Sequence, residues 1–219
     1  MKPGEKTRGG GSPVGRILEA ATDEFATNGY FGARTQAIAD AAGINKAMLH
    51  YYFRSKENLY TQVIKVAFRK ILGQVAMAWL EKGSLESRLK NVVDSYIDNY
   101  QQNPGFLKII LREFVDGGHR FREAFRELKE GESLPSGMTP SDLVSSVAKE
   151  LHLELPEAVH LIINLIGMCA ISFISPLLLD SILDFNVQDL DNYLKGRRAS
   201  IKAMLLAYVA TLTAHPEEG

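Results

Sequence analysis

A single cysteine, Cys169, in a chain of 219 residues excludes an internal disulfide and suits a reducing compartment. Catalytic signatures are missing as well: there is no Walker loop, no GxSxG, no HExxH and no CxxC. The five histidines, at 50, 119, 152, 160 and 215, have no metal-ligand spacing among themselves. The glycines at 9–11 follow no strand and so form no phosphate loop. Glu123, Glu127 and Glu130 alternate with arginines as a solvated face. No catalytic residue, metal or cofactor is therefore expected. No alternating strand pattern extends beyond a few residues and no repeat has a fixed period, so the chain is expected to be all-α. No apolar segment follows the first basic residues; a secretory signal is not expected, and a cytoplasmic location is.

Charge is absent from one long stretch, Leu161 to Leu179. Its length reaches the threshold for crossing a bilayer. Asn164, Ser172, Ser175 and Pro176 within it, and the lack of flanking basic residues, oppose that reading. A helix apolar on all sides is equally expected between a core and a partner subunit. Gly167 and Ala170 would let another helix approach closely. The expected interface is Gly167, Ala170 and Ile171 with Leu205 and Tyr208 of the last helix, and no membrane contact is expected.

What the chain does have is a soluble composition, 46% hydrophobic and 23% charged, large enough for one or two domains. Its net charge of −1 is unevenly spread: residues 1–72 carry a balance of +5 and residues 73–219 one of −6. A basic first third on an acidic body suits a reader of nucleic acid.

Within that basic third, Thr35 to Phe53 spells two short helices joined by a tight turn. Thr35 can cap the first; Ile38, Ala41 and Ala42 recur at helical spacing, and Gly43 supplies a left-handed residue to end it. Ile44 plugs the turn. Asn45 caps the second helix, Lys46 to Phe53. At 100° per residue, Leu49, Tyr52 and Phe53 face inward. Lys46, Ala47, His50, Tyr51 and Arg54 face outward. Lys can pair with guanine or phosphate, Ala leaves room for a thymine methyl, and His and Tyr can reach phosphate oxygens. This is a helix-turn-helix layout, with the second helix suited to the major groove.

Elsewhere the pattern is helical. Residues 1–11 are a basic, glycine-rich arm expected to be disordered. Ser12-Pro13 opens a helix that ends at Asn28-Gly29, with Tyr30 and Phe31 as core plugs in the loop beyond. Ser55 caps a helix reaching about residue 81. Lys56 at its start opposes the helix dipole, a misfit that a bound phosphate would resolve. Further helices follow from Leu85 to Gln102, Phe106 to Val115, His119 to Lys129, Ser141 (as cap) to Leu151, Pro156 onward, and about Val187 to Thr213.

The run T-x-x-x-I-A-x-x-A-G-I-N-K-x-x-L-H-Y-Y-F-x-S-K-E-x-L resembles the DNA-binding region of the TetR family of repressors, over roughly residues 14 to 64. By that resemblance the DNA-facing set is Arg34, Thr35, Gln36, Asn45, Lys46, Ala47, His50, Tyr51, Tyr52 and Lys56. His50 stands where the family often has tyrosine, which bears on base preference and not on docking. The resemblance implies a helix-turn-helix domain over residues 12–60 and a helical domain over 61–219. The latter would dimerise through its last two long helices and enclose a small-molecule pocket. Residues available to line that pocket are Trp79, Tyr96, Tyr100, Phe106, Phe114, Met138, His160, Asn164 and Phe173. The expected partners are double-stranded DNA, a small effector and a second copy of the chain. The competing reading is an all-α enzyme or lipid carrier using the apolar interior, for which the Lys46–Tyr51 surface has no purpose.

Overall fold

The computed structural model describes residues 12–131, 137–184 and 186–214, and the basic arm expected at 1–11 lies outside them. The described residues are all-α, with ten helices and no strand. Helix α1 (Pro13–Gly32) starts where Ser12 Oγ accepts the Gly15 N–H at 3.1 Å. The expected end at Gly29 is a kink instead. That residue takes φ 68°, and one more turn follows. The extra turn sets Tyr30 against the Phe25 and Tyr60 rings but leaves Phe31 78% exposed, so Phe31 is not a core plug.

Helix α2 (Thr35–Ala41) begins one residue earlier than a Thr35 cap requires. Arg34 is the cap residue and makes no side-chain cap bond; its N–H is taken by Glu24 Oε1 at 2.9 Å. Gly43, at φ 65°, closes α2 and lets Ile44 N–H reach Ala39 O at 3.0 Å. Helix α3 (Lys46–Phe53) is capped by Asn45, whose Oδ1 accepts the Met48 N–H at 2.8 Å. Ser55 Oγ does the same for Asn58 at the start of α4 (Lys56–Leu80). Helices α5 (Leu85–Gln102), α6 (Pro104–Val115) and α7 (His119–Gly131) follow. The cap of α8 (Pro140–Leu151) is Thr139 and not Ser141. Pro140 has no N–H and takes the first helical position, so the residue before it caps, reciprocally with Asp142. Helix α9 (Leu155–Leu183) carries Pro176 inside, and α10 (Leu190–Ala214) closes the described chain.

These helices group into two compact units, and the first is discontinuous: residues 12–66 join 108–124, while 67–107 join 125–214. The sequence-based boundary at residue 60 did not include the 108–124 segment. In the first unit Ile17, Phe25, Ile38, Leu49, Phe53 and Tyr60 form the core, with Ile109 from α6. In the second, α5 packs on α9 and α10. Arg198 of α10 reaches both Asp94 and Asp98 of α5, and Lys202 Nζ lies 2.6 Å from Asp94.

Helix α9 is long and apolar enough to cross a bilayer by composition, yet Ala158, Leu161, Leu165, Cys169 and Ser172 bury one of its faces within this unit. Burial pushes the Cys169 thiol up to about 12, so at pH 8 almost none of it is the reactive thiolate. Labelling with a disulfide reagent at pH 8 should therefore be slow in the native protein and fast once guanidinium chloride unfolds it. Equal rates in both conditions would mean that the α9 packing is not maintained in solution.

Candidate nucleic-acid interface

The two caps and the Gly43 turn fix the axis of α3, and its side chains divide by burial. Leu49 and Phe53 are buried at 4% and 5% exposure. Lys46, Ala47, His50, Tyr51 and Arg54 are all exposed. Tyr52, placed inward by the helical wheel, is half out: it is 37% exposed and stands edge-on to Tyr51, with centroids 5.4 Å apart. The eight-residue helix ends at Arg54, whose φ of 63° turns the chain sharply toward α4. The outward face therefore offers a cation, a small side chain and ring groups side by side, suited to phosphate oxygens and base edges.

The other residues expected to face DNA surround this helix and are partly committed. Asn45 is exposed, but its Oδ1 is occupied by the cap. Gln36 Nε2 donates to Asp40 Oδ1 at 2.8 Å on the exposed side of α2, beside an exposed Arg34 and a half-buried Thr35. Lys56 Nζ donates to Phe31 O at 3.2 Å and lies 5.0 Å from the Tyr30 ring centroid. Its ammonium thus joins the end of α1 to the start of α4 and remains partly open to solvent.

Three residues that sequence reasoning missed complete this unit, all from the α6–α7 corner. Arg112 donates to Phe25 O at 3.3 Å and Thr27 O at 3.1 Å, just before the Gly29 kink. Glu113 is fully buried and accepts the Arg120 N–H at 2.9 Å, with the Arg120 guanidinium 3.6 Å away. The guanidinium lies 3.7 Å from the Tyr30 ring centroid, a cation–π contact strengthened by burial. Burial first, and then the facing Glu113 carboxylate, hold the Tyr60 hydroxyl above its ordinary range and so protonated. No spacing rule points to this cluster, because Glu113 and Arg120 meet only through the Gly117-Gly118 turn, where both glycines take positive φ.

The second unit contains a small, largely apolar cavity of about 50 Å³, lined by α4, α5, α8, α9 and α10. Of the residues expected to line a pocket, Trp79 and Tyr96 do so. Tyr100 and Phe173 pack edge-to-face at 5.8 Å, outside the cavity wall. Phe106 and Met138 are half-buried elsewhere. Phe114 belongs to the first unit and is 69% exposed. His160 and Asn164 are exposed on α9. Among the residues expected at an interface, Gly167, Ile171 and Tyr208 are exposed and Ala170 is half-buried, whereas Leu205 faces the cavity.

Residues 17–63 match the family model described as bacterial regulatory proteins, tetR family. The chain is 31% identical over 108 residues to the HTH-type transcriptional repressor NicS of Pseudomonas putida, covering 49% of this chain and 51% of that one. It is 42% identical over 62 residues to the HTH-type transcriptional regulator RutR of Escherichia coli K12, covering 28% and 29%. The chain thus spans about half the length, or less, of these curated relatives. Its fold is similar to that of the fatty acid degradation regulator FadR from Bacillus halodurans, with a TM-score of 0.61 at 16% identity over 89% of this chain and 96% of that one. It is also similar to that of a TetR-like transcriptional regulator from Rhodococcus sp. RHA1, with a TM-score of 0.55 at 20% identity over 91% and 99%.

Proposed function

We propose that this chain, a member of the TetR family through the DNA-binding domain of residues 17–63, is a dimeric, cytoplasmic transcriptional repressor. It binds a palindromic operator and is released by a small molecule. The observation that carries this reading is the face of α3, where Lys46, Ala47, His50 and Tyr51 are exposed together on a helix fixed at both ends. A helix so placed enters the major groove, and two of them in a two-fold dimer read half-sites about 34–36 Å apart or a multiple of that. The chain acts by binding rather than by catalysis.

The second copy is proposed to cover the open face of α9 and α10. Ile163, Gly167 and Ile171 on α9, with Met204 and Tyr208 on α10, are exposed. His160 and Asn164 precede Gly167 and Ile171 at helical spacing and are also exposed, which supports reading them as part of this face. A partner helix here also gives the uncharged run a protein neighbour without a bilayer.

Selection of bound sequences from random duplex DNA tests the class: a palindrome is expected, and an unenriched pool overturns it. Point variants then separate base reading from positioning. Lys46→Ala and Tyr51→Ala should each cost about 1–3 kcal/mol per half-site and change the preferred sequence. Lys56→Ala should weaken all sequences alike and lower the salt slope by about one per half-site. Uniform, sequence-independent losses at all three positions would show that α3 does not read bases.

A further inference from the structure

Only Arg54 and Ser55 join α3 to α4, and the joint is closed in an uncommon way. Arg54 N–H ends α3 on His50 O at 2.8 Å, and Ser55 N–H then reaches back to Phe53 O at 2.6 Å. With φ 63° and ψ −46° at Arg54, this is a γ-turn of the rare, strained kind. The surroundings hold it in place, as such a turn requires. Phe53 and Leu59 on either side are buried. Asn58 donates its side-chain N–H to Phe53 O at 2.8 Å and its backbone N–H to Ser55 Oγ at 3.0 Å.

The fold has no use for an arginine at this point. Two other non-glycine residues have positive φ among the described residues, His152 with ψ 42° and Asp184 with ψ 29°. Both are ordinary left-handed helix ends, and both are residue types that enter that region comparatively readily. Arg54 lies outside it, in a conformation that glycine adopts with far less strain. Its side chain supports nothing within the chain. It is exposed, and its guanidinium takes part in no hydrogen bond or ion pair among the described residues.

The dimensions of α3 indicate what lies outside. Eight residues at a rise of about 1.5 Å each make a rod of about 12 Å, roughly the width of the major groove. When the N-terminal residues of such a helix meet base edges, its other end lies at the rim, where the phosphates are. Lys46, His50 and Arg54 recur every four residues as an exposed basic row along α3.

We propose that Arg54 is a phosphate-binding residue of the reader, held in a backbone conformation better suited to glycine because its guanidinium grips the DNA strand at the groove rim. The proposal rests on reading α3 as the groove-facing helix. It adds a contact that positions that helix without reading sequence, and it sets affinity against local stability at one residue.

Three variants of the full-length chain separate charge from strain. Arg54→Gly removes both, Arg54→Ala removes the charge and keeps the strain, and Arg54→Lys keeps both. Binding to a short duplex of mixed sequence is measured over a series of salt concentrations. Arg54→Gly and Arg54→Ala should each bind about fivefold more weakly per subunit engaged and lower the salt slope by about one. Arg54→Lys should retain most of the binding. Without DNA, the α3 amides of Arg54→Gly should exchange about threefold more slowly than those of the native chain, with no such slowing in Arg54→Ala. A better-protected α3 that binds DNA less well is not the result of a purely structural role. Native affinity and salt slope in Arg54→Gly and Arg54→Ala overturn the proposal. So does a loss confined to Arg54→Gly, which would trace to a loosened joint, or α3 exchange in Arg54→Gly no slower than native. A native chain that binds no duplex overturns the DNA-binding reading itself, whereas native binding with unaffected variants removes this contact alone.

Discussion

Gly167→Leu is expected to leave each chain folded and to separate the two copies. A Cβ built on Gly167 meets nothing within 4 Å in the single chain, so leucine fits there. In a helix interior it is also better than glycine by up to about 0.8 kcal/mol. The same isobutyl group would sit in the gap between closely packed helices of a dimer, and overpacking of that kind is destabilising. Sedimentation should show a monomer at concentrations where the native chain is a dimer, with unchanged helicity by circular dichroism. Specific DNA affinity should fall by about 10²–10⁴, because each half-site must then be bound alone instead of at the effective concentration set by its partner. A Gly167→Leu protein that remains dimeric with native operator affinity would place the interface elsewhere.

Glu113→Ala should destabilise the first unit by about 3–5 kcal/mol. Glu113 is fully buried, and its removal leaves the Arg120 guanidinium charged, largely enclosed at 17% side-chain exposure and without its carboxylate. Glu113→Gln keeps an oxygen for the Arg120 N–H and should cost less. Trp79 lies in the other unit, so its fluorescence is a poor monitor of this loss. Hydrogen exchange of the α1, α2 and α3 amides is the suitable one, and those amides should exchange faster in Glu113→Ala while those of α5 and α9 hold. Unchanged protection in α1–α3 would show that the buried pair does not support the reader.

The helix-turn-helix was legible because its determinants are local. Asn45, Gly43 and the alternation of Leu49 and Phe53 with polar residues act within a few positions of one another. The cap errors were also local and have a simple cause. Thr35 and Ser141 are good capping residues lying one or two positions past the true caps, Arg34 and Thr139, and the missing N–H of Pro140 decides the second case. Tyr52 was misplaced because a wheel takes no account of where the neighbouring helix ends, and Phe31 because the chain beyond Gly29 was read as loop and forms one more helical turn. The Arg112–Glu113–Arg120 cluster was not legible at all. Arg112 bonds carbonyls 85 and 87 residues away in the chain, and backbone carbonyls leave no trace in side-chain patterns. The pocket was half legible for a related reason. Aromatic residues could be named, but tertiary packing alone separates Trp79 and Tyr96 from Phe114.

The discontinuity of the first unit bears on how such regulators can be recombined. The recognisable segment, residues 17–63, looks like a cassette that could be moved by a single crossover. It is not self-sufficient, since its Phe25 and Thr27 carbonyls and its Tyr30 ring depend on a corner encoded some 50 codons downstream. A chimera that takes its reader from this protein and its body from another would inherit a foreign corner. Viable chimeras should therefore be those in which residues 108–124 travel with the reader, or in which the recipient already carries basic and acidic side chains equivalent to Arg112, Glu113 and Arg120.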